Sequence, residues 1–259
     1  MRWRKTYIDG TFGDKTVLLT TGVIDAPKGC VLLFHGVHSN ATSEPGNKYA
    51  RIGTDIAQSG FIPVLVETSR LIRDRRPYAD APMRWVTDAF TGKTCDQELE
   101  DFYRAFQAVR VIYSHLPLTL WGFSLGGLCA LLIAGGAKTG GKAPEGIDGL
   151  IICGSGDSVG PENQDIFKLP ILDSLREVGD LTAAAHRLRV RWTRAFRGTQ
   201  DATFPRDACV RLYDAMSVAD KAYYDIEGSD HSFRFLNGAP SRKPLDDVEA
   251  LIPQIFGER

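Results

Sequence analysis

The chain has 259 residues, 43% hydrophobic and 24% charged, with a formal net charge of -1. These are the proportions of an ordinary globular protein, and the near-zero charge gives no global electrostatic case for nucleic acid or an anionic membrane surface as a partner. No apolar run approaches the roughly 18 residues of a membrane span, and the basic start Met1-Arg2-Trp3-Arg4-Lys5 leads into no apolar segment, so neither a span nor a signal peptide is expected.

In chain order, residues 3–9 and 16–21 are β-rich runs around Asp9-Gly10-Thr11-Phe12-Gly13-Asp14, which predicts a hairpin-like start. Cys30-Val31-Leu32-Leu33-Phe34 is a continuous apolar run, the mark of a strand buried on both faces. It ends in His35-Gly36-Val37-His38. Tyr49, Ile52, Ile56 and Ala57 then recur at helical spacing up to Gly60, and residues 61–66 predict the next strand, with Pro63 near its start. Residues 67–92 are polar and arginine-rich without clear periodicity. Thr94 and Gln97 have capping-box spacing and open a helix with Leu99, Phe102, Tyr103, Phe106, Val109 and Ile112 on one face.

Residues 116–121 form a short apolar strand that runs into Gly122-Phe123-Ser124-Leu125-Gly126-Gly127, a G-x-S-x-G spacing, followed by an apolar helix-permissive stretch. A serine on a sharp strand-to-helix turn has a strained backbone and an exposed hydroxyl, and its flanking positions must lack side chains because the chain passes close to itself. The helix then offers the Leu125 N–H to an oxyanion. A plain β-α turn that happens to hold a serine is the bland alternative. Residues 135–146 read as a glycine-rich loop, 147–153 as a strand ending in Gly154-Ser155-Gly156-Asp157, and 158–187 as an amphipathic stretch. A strand over 190–196, a helix over 206–216, a strand over 222–226 and a final helix over 246–256, interrupted by Pro253, complete the chain. This alternation predicts one α/β domain, residues 1–259, built on a parallel sheet covered on both faces.

Open α/β sheets bind ligands at the carboxyl ends of their strands, where Ser124, Asp201 and His231 all fall. A serine hydroxyl needs a base within hydrogen-bond reach, and the base needs a carboxylate to fix its tautomer. Asp157 also follows a strand and rivals Asp201, whereas Asp225 and Asp230 lie too close in sequence to His231 to face its ring easily. A catalytic cysteine has no comparable turn. The five cysteines are scattered and form no C-x-x-C pair, so neither a disulfide framework nor a zinc site is indicated, and a cytoplasmic location is expected. Residues 135–141 with Lys138 and Lys142 lack P-loop spacing.

From residue 30 to the last helix the chain resembles the α/β-hydrolase superfamily of serine hydrolases, near carboxylesterases and feruloyl-type esterases, on four motifs in order. They are His35-Gly36, Gly122-Phe123-Ser124-Leu125-Gly126-Gly127, Gly198-Thr199-Gln200-Asp201 with Phe204-Pro205, and Gly228-Ser229-Asp230-His231-Ser232-Phe233. The resemblance implies the α/β-hydrolase fold, a cofactor-free and metal-free esterase acting on a small-molecule ester, and a triad of Ser124, His231 and Asp201. It also implies an oxyanion hole of the Val37 and Leu125 N–H groups, with His35 ordering its loop. A thioesterase, a lactone or C–C bond hydrolase, or a peptidase would use the same residues; a ligand-binding protein on this fold would typically lack a triad member. Residues 158–187 lie where the family often carries a cap, with Ile166, Phe167, Leu169, Ile171, Leu172 and Leu175 as its apolar face, against the alternative of a helix covering the sheet. Arg73, Arg75 and Arg76, interleaved with Tyr78 and Trp85, are candidates for binding an anionic or aromatic ester, as Phe167 is for the apolar part; a solvated basic loop is the plain alternative.

Overall fold

The computed structural model describes residues 1–160 and 170–257. Ile166, Phe167 and Leu169 therefore lie outside the described residues. Eight strands form one sheet: β1 (Trp3–Asp9), β2 (Thr16–Gly22), β3 (Gly29–Phe34), β4 (Phe61–Glu67), β5 (Leu118–Phe123), β6 (Ile147–Cys153), β7 (Trp192–Gly198) and β8 (Asp220–Ile226). Their order across the sheet is β1-β2-β4-β3-β5-β6-β7-β8. The hairpin β1–β2 and the β2–β4 pair are antiparallel, and every later pair is parallel.

The apolar runs are continuous because both faces of the sheet are covered. On β3, Cys30, Leu32 and Phe34 enter one core, while Val31 and Leu33 enter the other. The first core is closed by α3 (Cys95–Ile112), through Leu99, Phe102 and Phe106, and by α4 (Leu125–Ala134). The second is closed by α1 (Lys48–Gln58), through Tyr49, Ile52 and Ile56, and by the C-terminal α9 (Lys243–Glu249) and α10 (Ile252–Gly257). Trp121 and Phe256 stack in that second core. The capping box of Thr94 and Gln97 forms as the spacing predicts. Pro63 is accommodated because the ladder from β2 to β4 begins only at Val64.

Several expectations need correction. The arginine-rich segment contains α2 (Pro82–Phe90), where only Ala89 is buried, so there was little apolar stripe to read. Ile112, assigned to the buried face of α3, is 52% exposed because it stands on the helix's last turn. The final helix is two helices broken ahead of Pro253, which lies in the first turn of α10 where its missing N–H costs little. Between β6 and β7, residues 170–187 fold into the short helices α5 (Pro170–Asp173), α6 (Leu175–Val178) and α7 (Leu181–His186). The helix between β7 and β8 is α8 (Arg206–Asp214).

Candidate active site

The loops that follow β3, β5, β6, β7 and β8 meet at one end of the sheet. Ser124 stands between β5 and α4 with φ 53° and ψ -122°, a conformation L-residues rarely adopt. The glycines around it have no room for side chains. A Cβ at Gly122 would overlap the Gly126 carbonyl, and one at Gly126 would overlap the carbonyls of Phe34 and His35. The Ser124 N–H donates to the Cys153 carbonyl at 2.8 Å, and Ser155 Oγ donates to the Ser124 carbonyl at 2.9 Å.

His231 Nε2 lies 3.0 Å from Ser124 Oγ, and His231 Nδ1 lies 2.9 Å from Asp201 Oδ2. A carboxylate only accepts, so Nδ1 carries the ring hydrogen and Nε2 is left to accept from the serine hydroxyl. The Asp201 side chain is fully buried, and its Oδ1 accepts from the N–H groups of Thr203 and Phe204 at 2.8 and 3.0 Å. Buried Arg197 pins that loop by donating to the Asp201 and Phe204 carbonyls. His231 is held from behind: Asp230 Oδ1 accepts from the N–H groups of Ser232 and Arg234, while buried Phe233 packs edge-on against Phe123.

The rival acids are engaged elsewhere. Asp157 takes a two-pronged contact from Arg211 at 2.7 and 2.8 Å, Asp225 pairs with Arg206, and Asp230 turns one carboxylate oxygen to the backbone of its own turn. Gly154, which sequence reasoning missed, sits beside His231 and Asp201 at φ +56°; a Cβ there would stand 3.2 Å from His231 Nδ1 and 3.4 Å from Asp201 Oδ2.

Gly36 packs against Ser124, since a Cβ on it would lie 3.2 Å from Ser124 Cβ. That brings the Val37 backbone alongside the start of α4. Neither the Val37 nor the Leu125 N–H is taken by a protein acceptor among the described residues. His35 is fully buried. Its Nδ1–H donates to the Gly36 carbonyl at 2.9 Å, and its Nε2 accepts from the Thr68 N–H at 3.3 Å. Burial pushes its pKa down to about 4; Glu98 pulls the other way and Arg70 reinforces the fall.

Beneath this loop lies a charged cluster absent from the sequence reading. Arg70, Lys93, Glu98 and Asp101 are each 0 or 1% exposed. Lys93 Nζ stands 3.6 Å from Glu98 and 3.5 Å from Asp101, and Arg70 Nε stands 3.5 Å from Glu98. Burial, the largest influence on Glu98, would raise its pKa, but Arg70, His35, Lys93 and the Thr68 hydroxyl together hold it below the ordinary value. The signal was present in α3, where Glu98 and Asp101 fall in step with Leu99 and Phe102.

The loop arginines divide. Arg73 binds the Asp14 carboxylate and the Thr16, Glu67 and Thr68 carbonyls, pinning the β1–β2 hairpin to β4, so its fork is not free for a ligand. Arg76 is paired with Asp74 on the surface. Arg75 stacks on Trp85 at 4.1 Å and borders a small pocket with Val37 and His38. Phe167 lies outside the described residues. A larger cavity of about 630 Å³ opens on Ser124, Leu125 and Phe204, and its far wall is formed by Leu172, Leu175 and Leu181. Among the described residues no group of three or more His, Cys, Asp or Glu side chains is placed to hold a metal ion, and no helix is long and apolar enough to cross a membrane.

No protein-family model matches the chain, and no curated protein does. Solved structures match over its whole length. A soluble variant of monoglyceride lipase from Saccharomyces cerevisiae, bound to a substrate analogue, superimposes with a TM-score of 0.76 at 14% identity, over 100% of this chain and 95% of that one. The chain has the α/β-hydrolase fold. Two further structures share this α/β-hydrolase architecture. A thermostable carboxyl esterase from Bacillus coagulans, in complex with glycerol, matches with a TM-score of 0.70 at 16% identity, over 99% of each chain. Est1E from Butyrivibrio proteoclasticus matches with a TM-score of 0.69 at 14% identity, over 98% of each chain.

Proposed function

We propose that the chain is a serine esterase with Ser124 as nucleophile. The observation that carries this reading is the continuous hydrogen-bonded relay from Ser124 Oγ through His231 to buried Asp201, aimed out of a strained, glycine-walled turn. In this reading Ser124 Oγ attacks the acyl carbon while His231 Nε2 takes its proton, and the same proton passes to the departing alcohol. Water activated by His231 then attacks the acyl-enzyme and releases the acid. Asp201 keeps the ring in the tautomer that leaves Nε2 free and balances the charge that forms on it. The Val37 and Leu125 N–H groups receive the tetrahedral oxyanion, each typically worth about 3 kcal/mol in the transition state.

The fold neighbours include a lipase and a carboxyl esterase, in keeping with ester substrates. The apolar wall of residues 172–181 serves as a cap that receives the acyl or alcohol chain. All five cysteines are free and buried, which suits a reducing compartment such as the cytoplasm. The test is pre-steady-state: mixing the protein with p-nitrophenyl butyrate is expected to release a burst of about one p-nitrophenolate per chain, absent in Ser124→Ala. Steady-state comparison with thioester, lactone and hydroxycinnamate substrates is expected to favour oxygen esters. Burst and turnover retained by Ser124→Ala would overturn the reading.

A further inference from the structure

A second cleft, of about 620 Å³, opens on the Ser232 side of His231, with His38, Lys48, Arg51, Ser232, Arg234 and Arg242 in its wall. Four of these side chains are cationic, and neither Asp nor Glu lines the cleft. In a chain of net charge -1, such one-signed lining is a local arrangement rather than a consequence of overall composition.

The cations are not equivalent. Arg51 is held by Asp246 and Glu249 and forms a fixed wall. Lys48, the first residue of α1 behind its Asn47 cap, projects its ammonium over the Phe123 ring at 4.3 Å and the Tyr49 ring at 5.3 Å. Among the described residues no carboxylate lies within ion-pair distance of Lys48, Arg234 or Arg242. Asp230, the nearby acid, has one carboxylate oxygen committed to the Ser232 and Arg234 N–H groups. Burial, the largest influence, lowers the Lys48 pKa to about 8, with Arg234 reinforcing the fall and Asp230 opposing it, so the ammonium remains largely protonated at neutral pH. A half-buried ammonium with no ion-paired carboxylate, grouped with the exposed guanidiniums of Arg234 and Arg242, is stabilised by a bound anion. Position ties the cleft to the reaction, because Ser232 and Phe233 in its wall directly follow His231, and His38 directly follows Val37.

We propose that this cleft is a subsite for an anionic oxygen group, carboxylate or phosphate, carried by the substrate, with Lys48 and Arg234 as its principal ligands. The inference rests on the esterase reading and assigns the substrate class: an ester whose apolar part faces Leu172 and Leu175 and whose charged part lies beyond His231.

Matched ester pairs test it. On the alcohol side, 4-acetoxybenzoate and 4-acetoxyphenyl phosphate are compared with methyl 4-acetoxybenzoate. On the acyl side, mono-4-nitrophenyl glutarate is compared with 4-nitrophenyl valerate. The readout is the ratio of kcat/KM for the anionic ester to that for its neutral partner. At least one pair is expected to favour the anion, with the ratio falling about tenfold in Lys48→Met and in Arg234→Gln, retained in Lys48→Arg, and falling with added salt in the parent protein. The same ratio in all variants, or no preference for any anion, would overturn it. Calorimetric titration of Ser124→Ala with 4-hydroxybenzoate and 4-hydroxyphenyl phosphate separates the two readings and the two anions. Anion binding that is lost on adding Lys48→Met, in a protein that cleaves no ester, removes the esterase reading and keeps the subsite. Neutral-ester turnover with neither anion preference nor anion binding removes the subsite alone.

Discussion

Ser124 holds a positive φ because the turn from β5 into α4 leaves no other course: Gly122 and Gly126 touch each other, and Gly126 also touches the end of β3. Such strain costs about 1–3 kcal/mol and survives only where the surroundings over-determine it. Asp201 carries a comparable constraint, with one carboxylate oxygen held by two backbone N–H groups and the other aimed at His231. Asp201→Asn is therefore expected to lower kcat by about four orders of magnitude with the fold intact, because the amide favours the wrong imidazole tautomer. Asp157→Asn is expected to leave kcat within a few-fold, since its carboxylate is engaged with Arg211 and the Ser158 hydroxyl rather than with His231; steady-state kinetics with melting curves checks both. That Ser124, His231 and Asp201 meet was legible because each sits in a local motif at the end of a strand. Gly154 and Lys48 were not, because what distinguishes them is their neighbours in space: the triad for one, the Phe123 ring for the other.

At the level of elements, α3 does more than cover the sheet. Its capped N-terminus places Glu98 and Asp101 under the His35-Gly36 loop, where they balance Arg70 and Lys93. Inside this cluster His35 stays neutral, its pKa driven from 6.5 to about 4 by burial. The unfolded chain takes up a proton there as pH falls through 6.5, whereas the folded chain does so only near 4. The stability linked to His35 is thus complete above pH 6.5 and is lost progressively between 6.5 and 4, by roughly 3 kcal/mol. Urea unfolding of the parent and of His35→Asn at pH 7, 5.5 and 4.5 is expected to show this loss in the parent minus variant difference; a flat difference would count against a neutral buried His35. The helix boundaries of α1 and α3 were readable from cap and periodicity. Helix α2 was not, since an exposed helix leaves little apolar period, and the cluster was hidden because sequence does not say which charges will be buried together.

At the scale of the whole molecule, parallel strands deliver five loops to one end of the sheet, where one cavity opens on Ser124 and a second, cationic one is lined by Ser232, the residue after His231. Alternation of strand and helix was enough to predict this architecture, because apolar runs of five to seven residues have nowhere to go but a sheet covered on both faces. The role of residues 158–187 was less legible, since an amphipathic face does not say what it faces. Leu172 and Leu175 line the cavity on Ser124, so Leu172→Ala and Leu175→Ala are expected to raise KM several-fold for long-chain p-nitrophenyl esters more than for acetate. A drop in melting temperature alone would return the segment to a purely structural role. The central claim, a nucleophilic Ser124 activated by His231, is tested most directly by labelling with a fluorophosphonate probe and mapping the adduct by peptide mass spectrometry. One adduct per chain, on Ser124 and lost in both Ser124→Ala and His231→Ala, is the predicted result; labelling at another residue, or undiminished labelling of Ser124→Ala, would contradict it.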